Sequence, residues 1–254
     1  MLKSRVIPCL LLQDEGLVKT VKFANQKYVG DPINAIRIFN DKEVDELIVL
    51  DISASKDGRD PNYGLIEKFS SECFMPLCYG GGIRSVQQAR QLFALGVEKV
   101  CLQTAALEDP SIITHIADSF GSQSVVISVD IKKNLLGNYK LYRSLDGKNI
   151  EQPWLQFLQN MVKAGAGEVI VNSVDLDGTM KGMDLALIRQ AASAITVPLI
   201  AVGGIGSLPD MKAAINAGAS AVSAGSFFVF QGPHRAVLIT YPDYRELENI
   251  LGKK

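Results

Sequence analysis

The 254-residue chain is 47% hydrophobic and 21% charged, the balance of a globular protein with room for one large core. Its 26 basic and 27 acidic residues leave a formal net charge of -1, which gives no electrostatic pull toward nucleic acid or a membrane surface. The apolar runs are too short for a membrane span or for a signal segment with its cleavage site.

In chain order, apolar runs predict strands over Val6–Leu12, Glu46–Ser53, Pro76–Gly80, Lys99–Thr104, Ser124–Lys132, Glu168–Val174, Pro198–Gly203 and Ala221–Ala224. Amphipathic segments such as "SVQQARQLFALG" and "LPDMKAAINAG" lie between them, each ending in a glycine suited to a helix C-terminus. Eight strands alternating with helices predict parallel pairing and a single (β/α)8 TIM barrel spanning 1–254. The first strand leads into a long polar loop, "QDEGLVKTVKFANQKYVGD". The fifth leads into "KKNLLGNYKLYRSLDGKN", read as a small hairpin around Gly137-Asn138. Long loops after barrel strands lie on the active face.

The chain repeats itself. "ELIVLD" at Glu46 matches "EVIVNS" at Glu168, "PLCYGGGIRS" at Pro76 matches "PLIAVGGIGS" at Pro198, and "ALGVEKVCLQT" at Ala94 matches "NAGASAVSAGS" at Asn216. One constant offset relates all three pairs, so the barrel reads as two half-barrels, about 1–122 and 123–254. A doubly wound open sheet is the alternative, but it leaves the repetition unexplained.

Three groups of residues carry chemistry. Gly81-Gly82 and their repeats Gly203-Gly204 sit where strands turn into helices, where backbone N–H groups can meet an anion. Thr104, Gly225 and Ser226 end the neighbouring strands and add donors. The bland alternative, tight turns only, suits one glycine pair better than two symmetric ones. Asp130 ends the fifth strand, the place for a general acid/base; a salt bridge to Lys132 or Lys133 is its structural alternative. Asp177, Gly178 and Thr179 follow the sixth strand and suit phosphate or hydroxyl groups, although D-x-D-G is also an ordinary turn. Asp51, Ser53 and Ser55 occupy the related region after the second strand. At the opposite end, Arg5, Glu46, Lys99 and Glu168 begin strands, and two bases with two acids can close a neutral ring. Period-2 alternation puts Arg5, Ile7, Cys9 and Leu11 on one face, with Leu11 roughly 20 Å from Arg5.

The four cysteines, Cys9, Cys73, Cys78 and Cys101, form no C-x-x-C pair and read as buried free thiols of a cytoplasmic protein. His115 and His234 show no metal-ligand spacing, so neither metal nor cofactor is expected.

From "RVIPCL" through "GDP", "DELIVLDISAS", "GGGI", "FGSQSVVISVD", "AGAGEVIV", "DGT" and "VGGIG" to Ser226, the chain resembles the cyclase subunit of imidazole glycerol phosphate synthase. The resemblance implies a lyase-type synthase subunit of a glutamine amidotransferase, with a glutaminase docked on the barrel's bottom face. By it, Arg5, Glu46, Lys99 and Glu168 match a gate for ammonia, Glu98 a docking contact, Lys19 the mobile first loop, and Asp130 one of two catalytic carboxylates. The substrate would carry phosphate. The chain departs from the pattern at Leu11: those cyclases read "CLD" where this sequence reads "CLL". Gln103 also stands where Asn is usual, and "FFVFQGPHRAVLITYPDY" is an unusual ending. These departures resemble paralogues found with surface-polysaccharide genes, which work with a glutaminase-like subunit and a separate ATP-using amidotransferase to turn a sugar-linked acetamido group into acetamidino. The alternatives are a working histidine-pathway cyclase and a non-catalytic ammonia-channel scaffold.

Overall fold

The structure, a computed structural model, describes residues 4–252. β1 (Arg5–Gln13) continues into an antiparallel hairpin, β2 (Gly16–Val21) and β3 (Ala24–Gly30), before α1 (Pro32–Asp41). There follow β4 (Leu47–Asp51), α2 (Tyr63–Ser70), β5 (Leu77–Gly80), α3 (Val86–Ala94), β6 (Lys99–Leu102), α4 (Thr104–Glu108) and α5 (Ser111–Phe120). β7 (Val125–Lys133) extends into β8 (Tyr139–Arg143) and β9 (Lys148–Ile150), then come α6 (Trp154–Lys163), β10 (Glu168–Ser173), α7 (Leu185–Ala194), β11 (Leu199–Val202) and α8 (Leu208–Asn216). β12 (Ala221–Ala224), α9 (Ser226–Val229), the short pair β13 (Phe230–Gln231) and β14 (Ala236–Val237), and α10 (Tyr244–Leu251) complete the order. Strands β1, β4, β5, β6, β7, β10, β11 and β12 pair in parallel in that sequence, and β12 returns to β1. The chain is a closed (β/α)8 barrel.

Alternation sorts the strand residues into two cores. Outward side chains such as Val6, Leu10, Leu47, Val49, Val100, Ile127 and Val169 join the helices' apolar stripes. Inward ones, including Ile7, Ile48, Cys78, Cys101, Val126, Ile170, Ile200 and Ala221, fill the barrel. Each fully buried Ile or Leu contributes about 1.5–3 kcal/mol, so closure is driven from both faces at once. Helix starts are fixed locally: the Ser85, Asp31 and Asp184 side chains accept from the N–H groups of Gln88, Asn34 and Leu187.

Matched positions adopt matched backbones. Ser85 (φ -149°, ψ 157°) and Ser207 (φ -154°, ψ 162°) begin corresponding helices, and Gln103 and Gly225 each precede a short helix with similar angles. Three expectations are corrected. The polar segment after β1 is no loop: "GLVKTV" and "ANQKYVG" extend the sheet as β2 and β3, turning through Lys22 and Phe23, both with positive φ (54° and 62°). The expected hairpin after the fifth strand is a three-stranded meander that uses β7 itself as its first strand. Thr104, taken as a strand end, opens α4 instead.

Candidate active site

The floor of the barrel is an alternating ring of charge. Arg5 donates to Glu46 and to Glu168, and Lys99 Nζ reaches Glu46 Oε1 and Glu168 Oε2, each at 2.8 Å. The glutamates are almost wholly buried, with side chains 3% and 6% exposed, so they depend on these partners. Burial works against the charges on Arg5 and Lys99, but the two carboxylates outweigh it and hold both bases above their ordinary values. Glu98, beside Lys99, is exposed at this end.

Above the ring the lining is apolar until Ser128, Asn172 and Ser223 on β7, β10 and β12. There the barrel opens into a cavity of about 270 Å³ lined by Leu11, Gly81, Gln103, Thr104, Asp130 and Asp177 among others. Leu11 points inward, as alternation from Arg5 requires, and presents only hydrocarbon to the mouth. Asp130 lines the same cavity, not at the end of β7 as expected but where that strand, which runs on to Lys133, begins to pair with β8. Gln103 Nε2 donates to Asp130, the Asn172 amide stands beside it on the paired strand β10, and Ser144, from the turn between β8 and β9, donates to Gln103. Burial pushes the Asp130 carboxyl up to about 7; those amides resist the rise and nearby Asp177 adds to it. The salt-bridge alternative is removed: Lys133 pairs with Asp184 at 2.7 Å, and Lys132 lies over the Tyr142 ring. Asp130 is left without a basic partner among the described residues.

A smaller annex of about 40 Å³ opens toward β11 and β12, lined by Lys19, Thr20, Asp177, Gly178, Gly203, Gly204, Gly225 and Ser226. Lys19 reaches it from β2, its ammonium buried and donating to the Cys9 carbonyl. Burial lowers the Lys19 pKa, against the pull of Asp177, whose own carboxyl is raised by burial to about 6. A Cβ at 225 would lie 2.4 Å from Lys19 Nζ, so glycine leaves there the room that the ammonium occupies. At Gly203 (φ 98°) a Cβ would meet the Ser173 carbonyl at 2.7 Å. The annex thus sets a buried ammonium beside the glycine turns at 203–204 and 225, with the Asp177 carboxyl in the same lining.

The opposite cradle is built differently. Gly81 and Thr104 line the large cavity, but the Gly82 N–H donates to Ser55 Oγ at 3.1 Å and is turned into the wall. Asp51 shapes that wall, its Oδ1 accepting from Ser53 and Ala54 N–H. Thr179 lines neither cavity; its hydroxyl donates to the Leu176 carbonyl at 2.7 Å. Asn172, Ser144, Thr20 and Phe23 were missed as site residues. Period-2 spacing from Glu168 through Ile170 signals Asn172; nothing local signals Ser144, which a hairpin carries in from outside the barrel.

A family model described as histidine biosynthesis protein matches residues 5–234. A Pseudomonas aeruginosa protein provisionally named imidazole glycerol phosphate synthase subunit hisF2 is 55% identical over 249 residues, covering 98% of this chain and 99% of its own. A Leptospira interrogans protein provisionally named subunit HisF of the same synthase is 49% identical over 98% of both chains. A Vibrio vulnificus protein provisionally named subunit hisF3 is 48% identical over 99% of this chain and 97% of its own. Fold, site geometry and these relationships converge: the chain belongs to the histidine biosynthesis protein family, in its branch of HisF-like subunits.

Proposed function

We propose that this chain is the synthase subunit of a glutamine amidotransferase complex, receiving ammonia from a glutaminase docked at its floor and passing it to a phosphate-bearing acceptor at its mouth. The supporting observation is one continuous inner face that runs from the Arg5–Glu46–Lys99–Glu168 ring, past an apolar lining, to Asp130. An apolar section retards ions and passes a small neutral molecule. Glu98 lies on the rim where the glutaminase would sit. Asp130, titrating near neutrality, exchanges the proton as ammonia attacks.

The acceptor we favour is a nucleotide-linked acetamido sugar of surface-polysaccharide synthesis, worked on together with a separate ATP-using amidotransferase. Ammonia would replace the amide oxygen, which leaves on the ATP-derived group. Leu11 supports this over the histidine-pathway reaction, since a hydrocarbon cannot move the second proton that cyclisation needs, and loss of a general acid/base costs about 10²–10⁴-fold. A complete histidine-pathway cyclase is the second reading, favoured by glycine turns on both sides of the mouth, at Gly81 and at Gly203, which suit a ligand with an anion at each end. Ammonia-dependent turnover of the histidine-pathway ribonucleotide decides between them. We expect little turnover by the native protein and a gain in Leu11→Asp; native turnover matching an aspartate-bearing cyclase would refute our preference. A scaffold that only conducts ammonia needs no anion site, so the absence of thermal stabilisation by phosphate would favour it.

A further inference from the structure

The unusual ending "FFVFQGPHRAVL" has no role in the function proposed above, yet it reaches the mouth. β13 and β14 form a two-stranded clip with Arg235 in its turn. Arg235 Nη2 donates to the Gly178 carbonyl at 3.0 Å, its guanidinium lies 4.7 Å from the Phe230 ring centre, and its own carbonyl accepts from Lys27 Nζ at 3.3 Å. Lys27 stacks on the same ring at 5.0 Å. One side chain and its backbone thus connect β3, β13 and the Asp177-Gly178 turn. Arg235 holds a left-handed φ of 50°, a conformation that non-glycine residues keep only where their surroundings enforce it.

The hairpin needs such a tie. β2 is paired with β1 and largely buried, but β3 is the outer edge of the sheet: residues 24–28 are exposed and Val29 is its one buried residue. β2 and the turn have ties of their own, namely the pairing with β1, Lys19 to the Cys9 carbonyl, Thr20 to Asp177, the Lys22 N–H to the Asp177 carbonyl at 2.9 Å and the contact of Phe23 with Tyr142, whereas the Arg235 tie is made to β3. The segment carrying Lys19 into the annex is therefore held at its far side by the C-terminal clip.

We infer that Arg235 is a positioning residue for the mouth: by clasping Phe230, the Gly178 carbonyl and Lys27, it keeps the β2–β3 hairpin closed and Lys19 in the anion-binding annex. The anion arm of the test rests on the phosphate-bearing acceptor proposed above, and the exchange arm does not. Hydrogen exchange of the full-length protein is compared for the native chain, Arg235→Ala, Arg235→Lys and Phe230→Leu, alongside the rise in Tm produced by inorganic phosphate. Losing the side chain's cation–π contact and its one hydrogen bond, and with them the hold on the turn whose carbonyl accepts from Lys27, speeds exchange of the amides at 17–29 by about tenfold. Amides of β7 and β10 keep their rates. The phosphate-induced rise shrinks in Arg235→Ala and Phe230→Leu and is partly restored in Arg235→Lys, which keeps a cation for the ring. Native exchange at 17–29 in Arg235→Ala, or equal acceleration throughout the barrel, overturns the inference. If the native protein gives no phosphate response, the anion reading fails, and the exchange arm alone judges the clasp.

Discussion

Replacing Lys99 by Met tests the floor most directly. The change removes two 2.8 Å ion contacts and leaves Glu46 and Glu168 to share Arg5, turning a neutral ring into one of net charge -1. Breaking a buried pair from one side costs about 3–5 kcal/mol. Lys99 is 19% exposed and Arg5 still touches both acids, so the expected loss is about 2–4 kcal/mol at pH 7.5. Urea unfolding with an unchanged m-value measures it. Adding Glu46→Gln restores neutrality and should recover at least about 1 kcal/mol relative to the sum of the single losses. A Lys99→Met protein within about 0.5 kcal/mol of native stability, or strict additivity in the double variant, would refute the ring as an energetic unit. In the complex with a glutaminase, the same substitution should let glutamine hydrolysis run without product; unchanged coupling removes the gate assignment.

Asp130→Asn should stabilise the protein by about 2–4 kcal/mol at pH 8 and hardly at all at pH 4. The reason is a carboxyl near 7 in the fold against about 4 unfolded: the native state binds the extra proton between those values, and its charge cost is complete above them. Unfolding at both pH values checks the sign. Gly81→Ala puts a Cβ 2.4 Å from the Asp51 carbonyl at a φ of 117°, and an expected loss of about 2–4 kcal/mol should appear in Tm. Gly225→Ala meets only the movable end of Lys19 and the Cys9 carbonyl at 3.1 Å, so it should cost little stability while abolishing phosphate-dependent stabilisation; retained stabilisation would place the anion elsewhere.

The barrel and its floor were legible because both obey a simple period. Alternation from Arg5 put Leu11 at the mouth, and the four strand-start charges meet as the neutral ring that their signs suggest. The hairpin over the mouth was misread as a loop because its turn carries Lys22 and Phe23 rather than the Asn-Gly that announces such a turn, and because β3 shows an exposed face on nearly every residue. The equivalence of the two glycine cradles held for the backbone and failed for the ligand-facing groups. Ser55, 27 positions before Gly82, takes the N–H that the pattern left open. Such long-range pairings leave no local trace.

Phe23, in the turn between β2 and β3, and Tyr142, on β8, stand with ring centres 6.2 Å apart. Their hairpins grow from β1 and β7, so the contact spans the mouth like an arch, with Phe23, Ser144 and Leu145 forming its underside. The phosphate-bearing acceptor proposed above would lie beneath this arch, with the annex at one end and Gly81 at the other.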